Sequence, residues 1–188
     1  MKVPFIKVET DPTHTSDVPL IVGVECTDDQ SLSSLGLHFR LKVSNKSDET
    51  IQLHNPYESI SYQITNSEGW PVTVSAPPRA AKIHGPRRSP SAKARYLDVT
   101  NADQDGKNIT VEDAMTARTF DLQVGVTLSF GLRVGYVLPT PQSDTPVPVP
   151  TGEYHLKVLL PISWVMNGKK HNVILRSAET FMIKLLPL

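Results

Sequence analysis

Two stretches of strict alternation between apolar and polar residues constrain this chain more than any other feature. Every odd position from Leu35 to Val43 is apolar, and the residues between them are polar or small. Every even position from Phe120 to Tyr136 is apolar as well. A period of two places one set of side chains in a core and the other in water, so both stretches predict half-buried β-strands.

The longer run exceeds the usual length of a strand. We expect either two strands that separate near Gly125 or one strand that bends at Gly125 or Gly131, because glycine inside a strand often marks a bulge. The Asn-Ser-Glu-Gly sequence at 66–69 predicts a hairpin turn with positive φ at its glycine. Weaker strand candidates are Val3–Val8, Leu20–Glu25, Ile51–Leu53, Ile60–Ile64, Trp70–Val74, Tyr154–Leu160, Val173–Leu175 and Phe181–Leu185.

About ten short strands separated by turn residues, with almost no helical periodicity, predict an all-β fold. We expect a single domain over residues 1–188, an immunoglobulin-like antiparallel β-sandwich with long irregular loops and at most one short helix. The helix candidate is Val111–Ala117, which Thr110 opens with Asp113 three residues later in a capping-box pattern.

Two stretches interrupt the alternating pattern. Residues 76–117 form an insertion-like region that is first basic and then rich in Asp and Asn. Residues 139–150 contain repeated prolines, so we expect an extended, polyproline-like loop that faces solvent. Connections of this length are usually functional or mobile.

Composition excludes several classes of function. Lys plus Arg and Asp plus Glu each total 19, so the formal net charge is zero, unlike the basic domains that bind nucleic acid. The single cysteine, Cys26, rules out an intrachain disulfide, which fits a reducing compartment. No apolar run matches a signal peptide or a membrane-spanning helix. We therefore expect a cytoplasmic protein that binds neither nucleic acid nor membrane.

Motifs of catalysis are missing from the sequence. It contains no G-x-S-x-G, no P-loop, no dinucleotide fingerprint and no HExxH, and its histidines show no metal-ligand spacing. Cys26 follows a β-type run and is interpreted as a small buried residue. Trp70 and Trp164 are interpreted as core or sheet-edge anchors. The sequence therefore predicts no enzyme, no catalytic residue and no cofactor except a calcium ion at one motif.

That motif is the most specific local pattern in the chain. Asn101, Asp103, Asp105 and Glu112 follow the spacing of an EF-hand calcium loop, with Gly106 at the position of the sharp turn and Asn101 replacing the usual first Asp. Oxygen ligands at this spacing can converge on one cation. The alternative is an exposed Asp/Asn/Gly turn that local hydrogen bonds hold together.

A basic stretch without any acidic residue between Glu68 and Asp98 is the second candidate site. Its cations could clamp an anion such as phosphate, an RNA backbone or the acidic surface of a partner. The alternative is a solvated loop. The cations are Arg79, Lys82, Arg87, Arg88, Lys93 and Arg95.

Part of the chain resembles a known family. The alternating strand at 37–47 ends in Val-x-Asn-x-Ser, and with the segments that follow it up to Gly69 it resembles the bacterial intracellular proteinase-inhibitor (BsuPI-like) domain. Residues 125–130 and 150–156 are similar to the last strands of that family. The resemblance covers residues 35–74 and 122–160, and it implies an immunoglobulin-like sandwich that inhibits an intracellular protease. The matched positions are strand and turn residues, so no inhibitory residue is implied.

These observations favour a binding function. A rigid frame of strands with long loops and exposed edges suits a module that binds another macromolecule, and we expect that partner to be a protein. Protease inhibition is the narrower version of this expectation. A calcium- or anion-responsive module and a structural or assembly domain are the alternatives, and the oligomeric state stays open.

Overall fold

The computed structural model describes residues 2–8, 18–25, 36–75, 96–140, 142–177 and 181–185. These ranges contain mostly β-strands, together with the short helices α1 (Pro56–Ser59) and α2 (Val111–Thr116). The strands are β1 (Lys2–Val8), β2 (Leu20–Glu25), β3 (Leu37–Asn45), β4 (Ile51–His54), β5 (Ser61–Asn66), β6 (Val74–Ser75), β7 (Asp98–Gln104), β8 (Lys107–Ile109), β9 (Thr119–Leu122), β10 (Thr127–Val134), β11 (Tyr136–Val137), β12 (Val147–Pro148), β13 (Gly152–Met166), β14 (Lys169–Ser177) and β15 (Phe181–Leu185).

Two antiparallel layers share the strand β1. The first layer has the order β8-β7-β10-β3-β2-β1, and the second has the order β1-β14-β13-β4-β9, with β5 and β15 also paired to β13. β1 belongs to both layers because its first residues pair with β2 and its later residues pair with β14. A small separate sheet has the order β12-β11-β6.

The alternating side chains of the two layers meet in one apolar core. Every second residue of β3 from Leu37 to Asn45 is buried, as the alternation predicts. Phe120 of the second layer packs edge to face against Phe130 of the first, with ring centroids 5.8 Å apart. Two antiparallel layers that enclose a common core make an all-β, immunoglobulin-like sandwich, so the predicted fold class is confirmed.

Most of the predicted local features form. The long run at 120–136 separates into β9 and β10 at a turn in which Gly125 has φ +78°, and the pairing of β10 with β7 shifts register beside Gly131. The predicted Asn-Ser-Glu-Gly turn forms with Gly69 at φ +86°. The predicted helix is α2, and the side-chain oxygen of its N-cap Thr110 accepts a hydrogen bond from the N–H of Asp113 at 3.1 Å.

The described part of the region at 76–117 is not an insertion outside the sandwich. Its residues from 96 onward include β7 and β8, a hairpin that pairs with β10 and extends the first layer. The sequence hides β7 because a bulge interrupts its alternation, so that the buried residues Val99 and Ala102 stand three positions apart.

Two smaller expectations also need correction. The proline-rich stretch at 139–150 contains β12, which pairs with β11, and Val149 is buried, so the stretch is not wholly a solvent-facing polyproline segment. A second short helix, α1, adds to the one that the sequence predicts. It forms because Asn55 caps its start and a proline occupies its first turn.

A buried asparagine at the end of β3 connects the two layers. The side-chain amide of Asn45 donates hydrogen bonds to the carbonyl oxygens of Glu49 (2.7 Å), Leu122 (2.9 Å) and Gln123 (3.2 Å). Its Oδ1 accepts hydrogen bonds from the backbone N–H and the hydroxyl of Ser47, at 2.9 and 2.7 Å. Asn45 is fully buried, and these contacts satisfy both ends of its amide.

Replacing Asn45 should destabilise the whole domain. Asn45→Ala removes the five hydrogen bonds of a fully buried side chain and leaves a cavity, so we expect the free energy of unfolding to fall by about 3 kcal/mol. Urea denaturation measures this loss. The neighbouring exposed Lys46→Ala is the control and should change the value by less than about 0.5 kcal/mol. A loss below about 1 kcal/mol for Asn45→Ala would contradict the proposed connection.

A tyrosine near the start of β13 ties this strand to the segment before it. The hydroxyl of Tyr154 donates a hydrogen bond to the carbonyl oxygen of Pro150 at 2.7 Å. A tyrosine bonded in this way to the backbone a few residues upstream is the tyrosine corner of immunoglobulin-like sandwiches. Burial raises the pKa of Tyr154 above its ordinary value of 10.0.

The Tyr154 hydrogen bond should contribute stability that is lost in alkali. We expect Tyr154→Phe to lower the free energy of unfolding by about 1 kcal/mol at neutral pH. The raised pKa means that the unfolded chain releases the proton first, so the contribution is complete below pH 10 and falls as the pH rises through the folded pKa. Urea denaturation of both proteins from neutral pH to about pH 11 checks this. A difference that stays constant across that range would refute it.

Candidate binding groove

The two edge strands β8 and β9 border a single groove. Within the described ranges, β8 pairs only with β7, and β9 pairs only with β4. A groove of about 500 Å³ lies between them, and we call it the seam groove. Its polar lining consists mainly of Gln104, Asp105, Lys107, Asn108, Asp121 and Gln123.

A tight hairpin forms one wall of the seam groove. Asp105 (φ +52°) and Gly106 (φ +76°) make the two-residue connection between β7 and β8, and positive φ at both residues identifies a type I′ turn. Gln104 and Lys107, which flank this turn, form the first hydrogen-bonded pair of the hairpin. Because such pairs alternate along antiparallel strands, the backbone N–H and C=O of Asn108 point away from β7 and into the groove.

The edge of β9 forms the opposite wall. The N–H of Asn55 donates to the carbonyl oxygen of Arg118 at 3.0 Å, which sets the alternation of hydrogen-bonded pairs between β4 and β9. Asp121 lies opposite Gln52 in this register, at a pair that makes no backbone hydrogen bonds. The backbone N–H and C=O of Asp121 therefore point away from β4 and into the groove.

A glutamine side chain crosses the seam groove. Gln104 lies on the same face of β7 as the buried Ala102, so its side chain enters the space between the layers. Its Nε2 donates to the carbonyl oxygen of Asp121 at 2.7 Å. The exposed carboxylate of Asp121 also accepts a long hydrogen bond, 3.4 Å, from Nε2 of Gln52. No pattern in the sequence points to Gln104 or Asp121, because the bulge in β7 hides the core-facing position of Gln104.

The seam groove offers hydrogen-bonding groups and charges beside the apolar side chains of Ile109 and Val126. Backbone groups face it from both walls, and its rim carries the carboxylates of Asp105 and Asp121 and the ammonium group of Lys107. Among the described residues that line it there is no serine, cysteine or histidine. Such a lining suits recognition of a polar chain.

The structure distributes the calcium-motif residues over three elements. Asn101 and Asp103 lie on β7, Asp105 lies in the turn, and Glu112 lies in the first turn of α2. The carboxylate of Asp103 accepts a hydrogen bond from the N–H of Gly106 at 3.2 Å. The described part of the chain contains no group of three or more His, Cys, Asp or Glu residues that could hold a metal ion. The segment adopts the alternative of a turn held by local hydrogen bonds.

The other candidate residues lie away from the seam groove. His38 lies beside Arg133 on the first layer, and burial, followed by the positive charge of Arg133, lowers the pKa of this histidine. Trp164 is buried in the core and stacks on His171 with ring centroids 5.3 Å apart, whereas Trp70 is 67% exposed.

The basic stretch lies outside the described residues, as does Cys26. The anion clamp therefore stays a prediction from the sequence. Its residues are Arg79, Lys82, Arg87, Arg88, Lys93 and Arg95.

Calcium should not stabilise this chain. Because Asn101, Asp103, Asp105 and Glu112 lie on a strand, a turn and a helix, we expect millimolar calcium to leave the melting temperature unchanged and calorimetric titration to show no binding heat. Magnesium at the same concentration is the control for ionic strength. A calcium-specific rise of several degrees would mean that the hairpin and α2 rearrange to bring these ligands together.

Neither helix in the described part of the chain approaches the length and apolar character needed to cross a membrane.

Comparisons with known proteins leave the family of this chain open. No protein-family model matches the chain, and no curated protein matches it. One solved structure that is similar to it is the GAE domain of GGA2p from Saccharomyces cerevisiae, with 12% sequence identity over 97% of each chain and a TM-score of 0.30. A likeness at this TM-score supports no conclusion about what the chain does.

Proposed function

We propose that this chain is a non-enzymatic binding module that recognises another protein at the seam groove. The observation that supports the proposal is the pair of facing sheet edges. Asn108 and Asp121 direct backbone N–H and C=O groups into the same groove from opposite walls. Such groups on an edge strand are a ready template for pairing with another chain.

The lining and the charge of the molecule favour a protein partner over other classes. The formal net charge of zero lacks the excess of cations that nucleic-acid binding uses. The groove of about 500 Å³ has a size that a small ligand could also use, but such ligands usually bind in concave sites lined mainly by apolar groups. Seven of the nine residues that line the seam groove are polar, and the two strand edges that border it match the repeating amide groups of a polypeptide.

Narrower and alternative functions stay predictions with their own tests. Inhibition of an intracellular protease follows from the family resemblance, and loss of activity across a panel of serine proteases would test it. An assembly role would produce a stable oligomer in light scattering. An anion-responsive role would depend on the basic stretch and would be lost in the double variant Arg87→Ala and Arg88→Ala.

A selected peptide and one charge reversal test the proposed function. We expect a library of random peptides displayed on phage, selected against the whole chain, to yield peptides that bind Asp121→Lys at least about tenfold more weakly than the original protein, because the reversal changes the charge beside the β9 edge. Calorimetric titration of synthetic peptides measures the affinities. Asp144→Lys reverses the charge of an exposed residue outside the groove lining and should bind like the original protein.

Either of two results would overturn the proposal. One is a selection that enriches no peptide with a dissociation constant below about 1 mM. The other is a set of peptides whose affinity for Asp121→Lys equals their affinity for the original protein. Circular dichroism and thermal melting of each variant show whether its fold is intact.

A further inference from the structure

We infer that the partner binds as an extended strand added to the free edge of β9, and that the side chain of Gln104 occupies this edge until the partner displaces it. The inference rests on the proposed function, since it specifies how a partner occupies the seam groove.

The contact between Gln104 and Asp121 resembles a pairing interaction between strands. Within a sheet, the outward-facing carbonyl oxygen of Asp121 would accept a backbone N–H from a neighbouring strand. Here Nε2 of Gln104 donates to that oxygen at 2.7 Å from across the seam. A side-chain amide has the same donor chemistry as a peptide N–H. An incoming strand can therefore replace this hydrogen bond with an equivalent one.

The free edge of β9 is short and well defined. β9 has four residues, and its other edge is fully paired with β4 from Ile51 to His54. α2 precedes β9 in the chain, and the turn to β10 follows it. The edge therefore accommodates a segment of only a few residues, which makes main-chain hydrogen bonds to β9 in the manner of other strand-addition complexes.

Charge at the rim selects the side chains of that segment. The carboxylate of Asp121 is exposed on the outer face of β9, and the carboxylate of Asp105 lies on the opposite rim. Lys107 supplies the one cation in the described lining. Opposite charges on directly paired residues of neighbouring strands stabilise the pairing. The partner is therefore an extended segment that places Lys or Arg opposite Asp121.

The first test uses a selected peptide and its singly N-methylated forms with the unmodified full chain. N-methylation removes one backbone donor at a time. We expect methylation at alternate residues to weaken binding about tenfold or more, and methylation at the residues between them to have a much smaller effect, because only alternate amides of an added strand face β9. Replacing the lysine or arginine opposite Asp121 with alanine should weaken binding about threefold.

The second test concerns the displaced side chain. Gln104→Ala removes the hydrogen bond that the peptide must replace, so we expect the peptide to bind this variant about fivefold more tightly. Gln63→Ala is the matched control, since this exposed glutamine of β5 lies outside the groove lining and should leave peptide binding unchanged. Thermal melting identifies any variant that is not folded, and the N-methylation series does not depend on the variants.

The outcomes separate this inference from the proposed function. Peptides that depend on Asp121 but show no alternation in the N-methylation series would overturn strand addition and leave the seam groove as the binding site. Unchanged or weaker binding to Gln104→Ala would overturn the role of Gln104. Failure to select any peptide that depends on Asp121 would overturn the proposed function and this inference together.

Discussion

The buried amide of Asn45 is the contact on which the geometry of the seam groove depends. It bonds to the carbonyl oxygens of Leu122 and Gln123, so it fixes the point where β9 ends and the chain turns toward β10. At the other end of β9, the buried amide of Asn55 donates to the carbonyl oxygens of Ala114 and Ala117, both at 2.9 Å. An edge strand lacks a second neighbour to hold it in place. Two buried asparagines supply that support here, and they hold the edge in a pre-organised form.

Alternation in the sequence predicts the layers well because burial on one face dictates a period of two. The strands around Leu41 and Phe130 could be predicted for this reason, and so could the break at Gly125, where the chain needs positive φ. The hairpin of β7 and β8 could not be predicted, because a bulge at 100–101 breaks the period of two in β7. The strand that pairs with β7, which is β10, also lies more than twenty residues further along the chain.

The candidate sites show the same division between local and long-range information. The spacing of Asp103, Asp105 and Gly106 is shared by a calcium loop and by a type I′ hairpin, and only the pairing with β10 decides between them. The seam groove depends on two strands from opposite layers whose proximity no local pattern indicates. Gln104 occupies a core-facing position of β7, but its polar character there becomes evident only once the bulged strand itself is known.

The side chain of Gln104 covers one hydrogen-bonding group at the open edge of the sandwich, the carbonyl oxygen of Asp121. Natural sandwiches protect edge strands with charges, short lengths or covering elements, and β8 follows this pattern with three residues and an exposed lysine at Lys107. β9 is also short, with four residues and the exposed Asp121, and in addition a side-chain hydrogen bond from Gln104 covers the outward-facing carbonyl oxygen of Asp121. Exchanging this bond for a backbone bond of a partner is close to neutral in free energy, because one amide donor replaces another. Net affinity must therefore come from the further hydrogen bonds and side-chain contacts of the added segment, so a partner that only caps Asp121 would gain nothing over Gln104.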